Sequence, residues 1–98
     1  MTLWDICTEI AEVEEGLAYG EINFSFDKLM SAMKPGHPAD LLDDILSEIG
    51  WDVQKGITPE RSKLEQILKE LKGFKATFKI KELSAPIKHL KEYLEETK

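Results

Sequence analysis

Between Thr58 and Phe74 the chain reads TPERSKLEQILKELKGF, and in it Leu64, Ile67, Leu68 and Leu71 fall at i, i+3, i+4 and i+7. That spacing puts four large aliphatic side chains on one face of a helix. Burying them contributes roughly 6–12 kcal/mol of gross transfer free energy, most of it offset by chain entropy, so the helix needs an apolar surface to lie on. Thr58 is a suitable N-cap, and Pro59 a suitable first helical residue because its missing N–H costs nothing there. At the far end Gly73 predicts a left-handed C′ position, with Phe74 folding back onto Leu68. Glu65 and Lys69 form a well-oriented i,i+4 pair on the outer face.

The remaining segments offer that surface. Thr2 predicts an N-cap and Asp5 the reciprocal capping-box partner of a helix running to about Glu15, with Leu3, Ile6, Ile10, Val13 and Leu17 in one stripe and Cys7 beside it. Gly16 and Gly20 bracket its exit. Ile22, Phe24 and Phe26 alternate with period two and predict a short half-buried strand, followed by a short helix from Asp27 to Met33. Lys34 to Pro38 is a loop, since two prolines and a glycine in five residues remove donors and fix φ. Pro38 opens a helix that buries Leu41, Leu42, Ile45, Leu46 and Ile49, with Gly50 closing it and Trp51 following. The likeness of LLDDILSEIGW to KLEQILKELKGF is read as chance, because leucine-rich amphipathic helices resemble one another.

Lys75 to Lys81 also alternates, with Ala76, Phe78 and Ile80 on one side and Thr77, Lys79 and Lys81 on the other. It predicts a strand whose backbone groups need a partner, either Ile22–Phe26 or a second copy of the chain. Ser84-Ala-Pro86 opens a last helix with Ile87, Leu90 and Leu94 inward and Tyr93 at the margin. The expected fold is α+β and mostly helical: four main amphipathic helices, one short helix and two or three short strands. With 98 residues, 42% hydrophobic and 33% charged, a single globular domain over 1–98 is expected. No apolar run approaches a membrane span, and acids stand where a signal peptide carries bases, so a cytoplasmic protein is the simplest expectation.

Net charge is −6 but unevenly spread. Residues 1–27 hold seven acids and no Lys or Arg, while residues 61–81 hold seven bases and two acids. This asymmetry bears on partners and association rates.

For chemistry the residues offer little. His37 and His89 have no nearby Cys or His at zinc spacing, so a capping or surface role for His37 and a solvent-facing one for His89 are expected, and no metal or cofactor is assigned. Cys7 lies between Asp5 and Glu9, which disfavour a thiolate; a small core residue is the better reading. Asp43 and Asp44 point about 100° apart on a helix and do not share a proton. No phosphate loop or hydrolase motif occurs, and an enzyme is not expected.

Binding remains. The first candidate face is the acidic N-terminal helix, with Trp4, Asp5, Glu9 and Glu12, suited to a basic protein partner. Trp4 lies about 100° from Leu3 and either broadens the core, which is preferred, or protrudes as an anchor. The second is the basic tract Arg61, Lys63, Lys69, Lys72, Lys75, Lys79 and Lys81, in the order of a winged helix whose wing begins at Lys75. Against nucleic-acid binding stand the missing second wing strand, a long link between the helices and the acidic net charge. The leading expectation is a small protein–protein interaction module, an adaptor, regulator or inhibitor acting by surface binding, with a homodimer as one form. A nucleic-acid-binding winged-helix-like domain is the alternative, and no membrane partner is expected.

Overall fold

Thr2 opens the first helix as its sequence requires. Its hydroxyl accepts the Asp5 N–H at 3.2 Å, and the Asp5 carboxylate accepts the Thr2 N–H at 3.1 Å. Donors that the first turn leaves without helical partners are thus satisfied reciprocally. In the computed structural model, which describes residues 2–25 and 37–97, this helix is α1, Leu3–Ala18. Leu3, Ile6, Ile10, Val13 and Leu17 are all buried, as their stripe demands. Gly16 is needed for close approach: a Cβ there would come within 2.6 Å of Cγ1 of Ile22, whose N–H donates to the Gly16 carbonyl at 3.0 Å.

His37 caps α2, Pro38–Gln54, with its Nδ1 accepting the Ala39 N–H at 3.1 Å. Leu42 and Ile49 are fully buried on this helix, and Leu41, Ile45 and Leu46 are half-buried. The central helix, α3, is Arg61–Phe78, and α4 is Ser84–Glu96. A 3-10 turn at Lys81–Leu83 joins them. Each helix packs on its neighbours in chain order and α4 closes on α1, with the diagonal pairs further apart. The core lies along the middle of this ring, where Ile6, Ile10, Leu42, Ile67, Leu71 and Leu90 are inaccessible to solvent.

The α+β expectation is overturned, because no strand is present among the described residues; they form an all-helical fold of four α-helices. The strand at Lys75–Lys81 fails because Phe74 and Phe78 continue the stripe of Leu64, Ile67 and Leu71 at steps of three and four. Period two and the tail of a helical stripe coincide over so few residues. Gly73 does not end the helix either. A glycine in a helix interior costs about 1 kcal/mol, less than the roughly 3 kcal/mol or more gained by burying two phenylalanines along the extended helix. Gly50 is misread in the same way, since α2 continues through Trp51 to Gln54. At the start of α3 the helix begins two residues later than expected. The N-cap is Glu60, whose carbonyl accepts the Lys63 and Leu64 N–H groups, and Pro59 is buried outside the helix.

Ile22 to Ser25 is irregular, with a bend at Ile22 and no ladder; the Ser25 N–H donates to the Phe78 carbonyl at 2.8 Å. Phe24 sets its ring edge-on to His37 and Phe78, at centroid distances of 5.5 and 6.4 Å. Phe26, the helix expected over 27–33 and most of the loop after it lie outside the described residues. The edge-strand argument for a second copy therefore has no strand among the described residues to rest on.

The actual stop of α3 is Lys79, which adopts φ 55° and ψ 47°. The Ile80 N–H returns to the Lys75 carbonyl at 3.2 Å and Ile80 is fully buried, which makes this a Schellman cap with lysine in the position glycine favours. A left-handed conformation costs a side-chain-bearing residue about 1–2 kcal/mol, partly offset by the larger unfolded-state entropy of glycine. Lys79→Gly is expected to raise stability by about 0.5–1 kcal/mol. A urea titration showing an unchanged or lower midpoint would mean that lysine is not strained there.

Candidate functional site

On α1 a second stripe runs beside the core stripe: Trp4, Cys7, Thr8 and Ala11, again at i, i+3, i+4 and i+7. Facing it on α2 are Asp43, Leu46, Ser47, Gly50, Trp51, Val53 and Gln54. The side chains between the two tryptophans are mostly small, so the helices leave a groove of about 420 Å³ along their shared edge. Trp4 is 52% exposed and Trp51 66% exposed. The preference for Trp4 in the core is thus corrected: it stands on the rim of this groove. Cys7 is half-buried in the floor, and burial pushes its thiol up from the ordinary value, away from thiolate character.

The expected acidic face divides. Asp5 is the capping-box residue, held below its ordinary value by the Thr2 backbone N–H and then by the Thr2 hydroxyl. Glu9 turns to the other flank of α1, where Oε1 meets Nδ1 of His89 on α4 at 2.7 Å. Both side chains are about three-quarters buried, so His89 is a link between helices and does not face solvent freely. Glu12 remains exposed. Only Trp4 of the four reaches the groove lining.

Asp43 is the acid in the groove lining, and acids of both helices stand near it. Glu14 on α1 stands against Asp43 on α2, with Glu15 and Asp40 adding their charge, and burial together with these neighbours raises the Glu14 carboxyl above its ordinary value. Five acids on α1 and five on α2 are accompanied by no Lys or Arg on either helix. A second carboxyl pair joins α2 to α3. Glu48 is raised by desolvation and by Glu70, against a smaller opposing effect of Lys63. Glu70 Oε1 accepts from Gln66 at 3.3 Å, while Oε2 is buried with no donor among the described residues.

These shifts have a definite sign. A carboxyl whose folded pKa is raised stabilises the fold fully below its unfolded pKa, and that contribution is lost as pH climbs through the folded value. Asp5 acts oppositely, supporting the fold above its unfolded pKa and losing that support as pH falls through the folded one. Glu14→Gln is accordingly expected to raise the melting temperature at pH 7, by the equivalent of up to about 1 kcal/mol, and to change nothing at pH well below the glutamate range. Parallel melts of wild type and variant across that range check it; the absence of any gain at pH 7 would mean that Glu14 and Asp43 are not pressed together.

The basic tract is spread over three local structures. Arg61, Lys63, Lys69 and Lys72 are exposed along α3, and Lys75 is half-buried near its end. Lys79 is the left-handed cap and Lys81 starts the 3-10 turn. Arg61 is engaged with Glu65 at 3.2 Å, inside the tract. The wing that gave the winged-helix order its second part is absent, since Lys75 to Phe78 is helix. Trp51 escapes the sequence reading because Gly50 predicts a helix end there, whereas α2 runs on to Gln54. The available signal was the second stripe of small residues flanked by Trp4.

Among the described residues no group of three or more His, Cys, Asp or Glu side chains is arranged to hold a metal ion, and no helix is long and apolar enough to cross a membrane. Set against family models, curated proteins and solved structures, the chain matches none of them, so the groove must be interpreted from its own residues.

Proposed function

We propose that this chain is a small protein–protein interaction module, an adaptor, regulator or inhibitor, whose docking face is the α1–α2 groove. The observation that carries the reading is the pair of exposed tryptophans on either side of it. Leaving large aromatic surface in water forgoes burial free energy of about 25 cal/mol per Å², and tryptophan is the residue most enriched where partners bind. Small groove-floor residues and large rims are also the shape that receives a projecting side chain.

Position-resolved photocrosslinking tests this in the cells that make the protein. A photoreactive residue at position 51 is expected to give a discrete adduct that unmodified protein competes away, while the same group at Lys69, on α3, gives none. Equal adducts at both positions, or none at 51, would defeat the reading.

A further inference from the structure

We infer that the segment received by the α1–α2 groove is a cationic amphipathic helix, with apolar anchors seated between Trp4 and Trp51 and lysines or arginines over the end where Glu14, Asp40 and Asp43 meet. The inference rests on the reading of the groove as a docking face and specifies what that face selects.

Charge complementarity is the ground for it. The groove has two unlike ends. At one, Trp4, Cys7, Trp51 and Val53 offer rings, a thiol and an aliphatic side chain. Towards the other, Asp43 lines the groove, with Glu14 beside it just beyond the lining and Asp40 and Glu15 near enough to add their charge. Neither wall contributes a lysine or arginine. These carboxylates repel one another in the free protein, so a cation laid across them removes a cost as well as making an attraction. An acidic or neutral segment would add to the repulsion or leave it untouched. A helix meets the geometry because apolar and basic residues then recur at i, i+3, i+4 and i+7, and an apolar helix face laid in a groove is an established mode of peptide recognition. Buried apolar anchors supply affinity, and the charges supply selection and association rate.

The test uses the intact protein and a tryptophan-free peptide, KLAKLAKKLAKLAK. Trp4 and Trp51 are the only tryptophans of the chain, so emission excited selectively in tryptophan, at the red edge where Tyr19 and Tyr93 do not absorb, reports on the groove. Titration is expected to give a saturable blue shift. Affinity should fall at least tenfold for Trp51→Ala and severalfold for Asp43→Asn. Both residues are exposed, so these variants should keep their fold, and circular dichroism melts verify that. Lys72→Glu, on α3, should bind as wild type does. The peptide with every lysine replaced by glutamate should not bind.

Equal binding of the acidic peptide overturns the inference. So does cationic binding that Trp51→Ala leaves unchanged, which would mean diffuse charge attraction. Self-association in sedimentation that Trp51→Ala abolishes, without peptide binding, would make a second copy the occupant and also overturn it. In that last case, or if the peptide fails while position 51 still gives its discrete adduct, the docking face stands and only the assigned occupant is wrong.

Discussion

Leu71→Asp is expected to abolish cooperative folding. Leu71 is inaccessible to solvent in the middle of α3, the helix that packs on both α2 and α4. The aspartate loses the transfer free energy of leucine and either buries an unpaired carboxylate or takes up a proton to avoid doing so. Removal of a buried leucine alone costs about 2–5 kcal/mol, and the charge adds several more. Domains of this kind have only about 5–15 kcal/mol in total. Circular dichroism during heating should show no cooperative transition for Leu71→Asp. Leu68→Asp, one turn back at a half-buried site, should melt cooperatively at a lowered temperature. Two similar, intact transitions would mean that α3 presents a different face to the core.

Phe78→Ala carries the second large effect, a loss of about 3–5 kcal/mol. Phe78 is buried at the last position of α3, with Phe74 at a centroid distance of 4.7 Å and Phe24 edge-on at 6.4 Å. Its companion control separates helix from strand. Were residues 75–81 a strand, Ala76 would share the inward face with Phe78, and Ala76→Glu would be as damaging. In α3 Ala76 is exposed, so Ala76→Glu should change stability by no more than about 0.5 kcal/mol. Urea denaturation of the two variants gives the answer, and equal losses would restore the strand.

That pair of substitutions also shows how far the residues announce the fold. The helical stripes of α1 and α3, the Thr2–Asp5 box, the Pro38 start and the inward face of α4 were all legible, because each rests on spacing or on a local hydrogen bond. Both glycine stops were misread. Whether a helix passes through Gly50 or Gly73 depends on what the next turn can bury, which is tertiary information. Lys79 carries the real stop without a residue type that signals it. For the groove, Trp4 was visible as an anomaly on its helix, whereas Trp51 became meaningful only once α2 extended far enough to bring it opposite α1. The acids were legible as a population, but not which of them serve the fold. Asp5 and Glu9 look like Glu12 in a string of letters, yet their partners are Thr2 and a histidine 80 residues away.

Closure of α4 onto α1, with Glu9 and His89 between them, has a consequence for synthesis. Of these four helices α1 is made before α4, so the flank that α4 covers stays bare until residues 84–96 have followed it out of the ribosome. Among the described residues α4 is the element that covers that flank, so a nascent chain halted before Ser84 should remain sticky and easily cleaved.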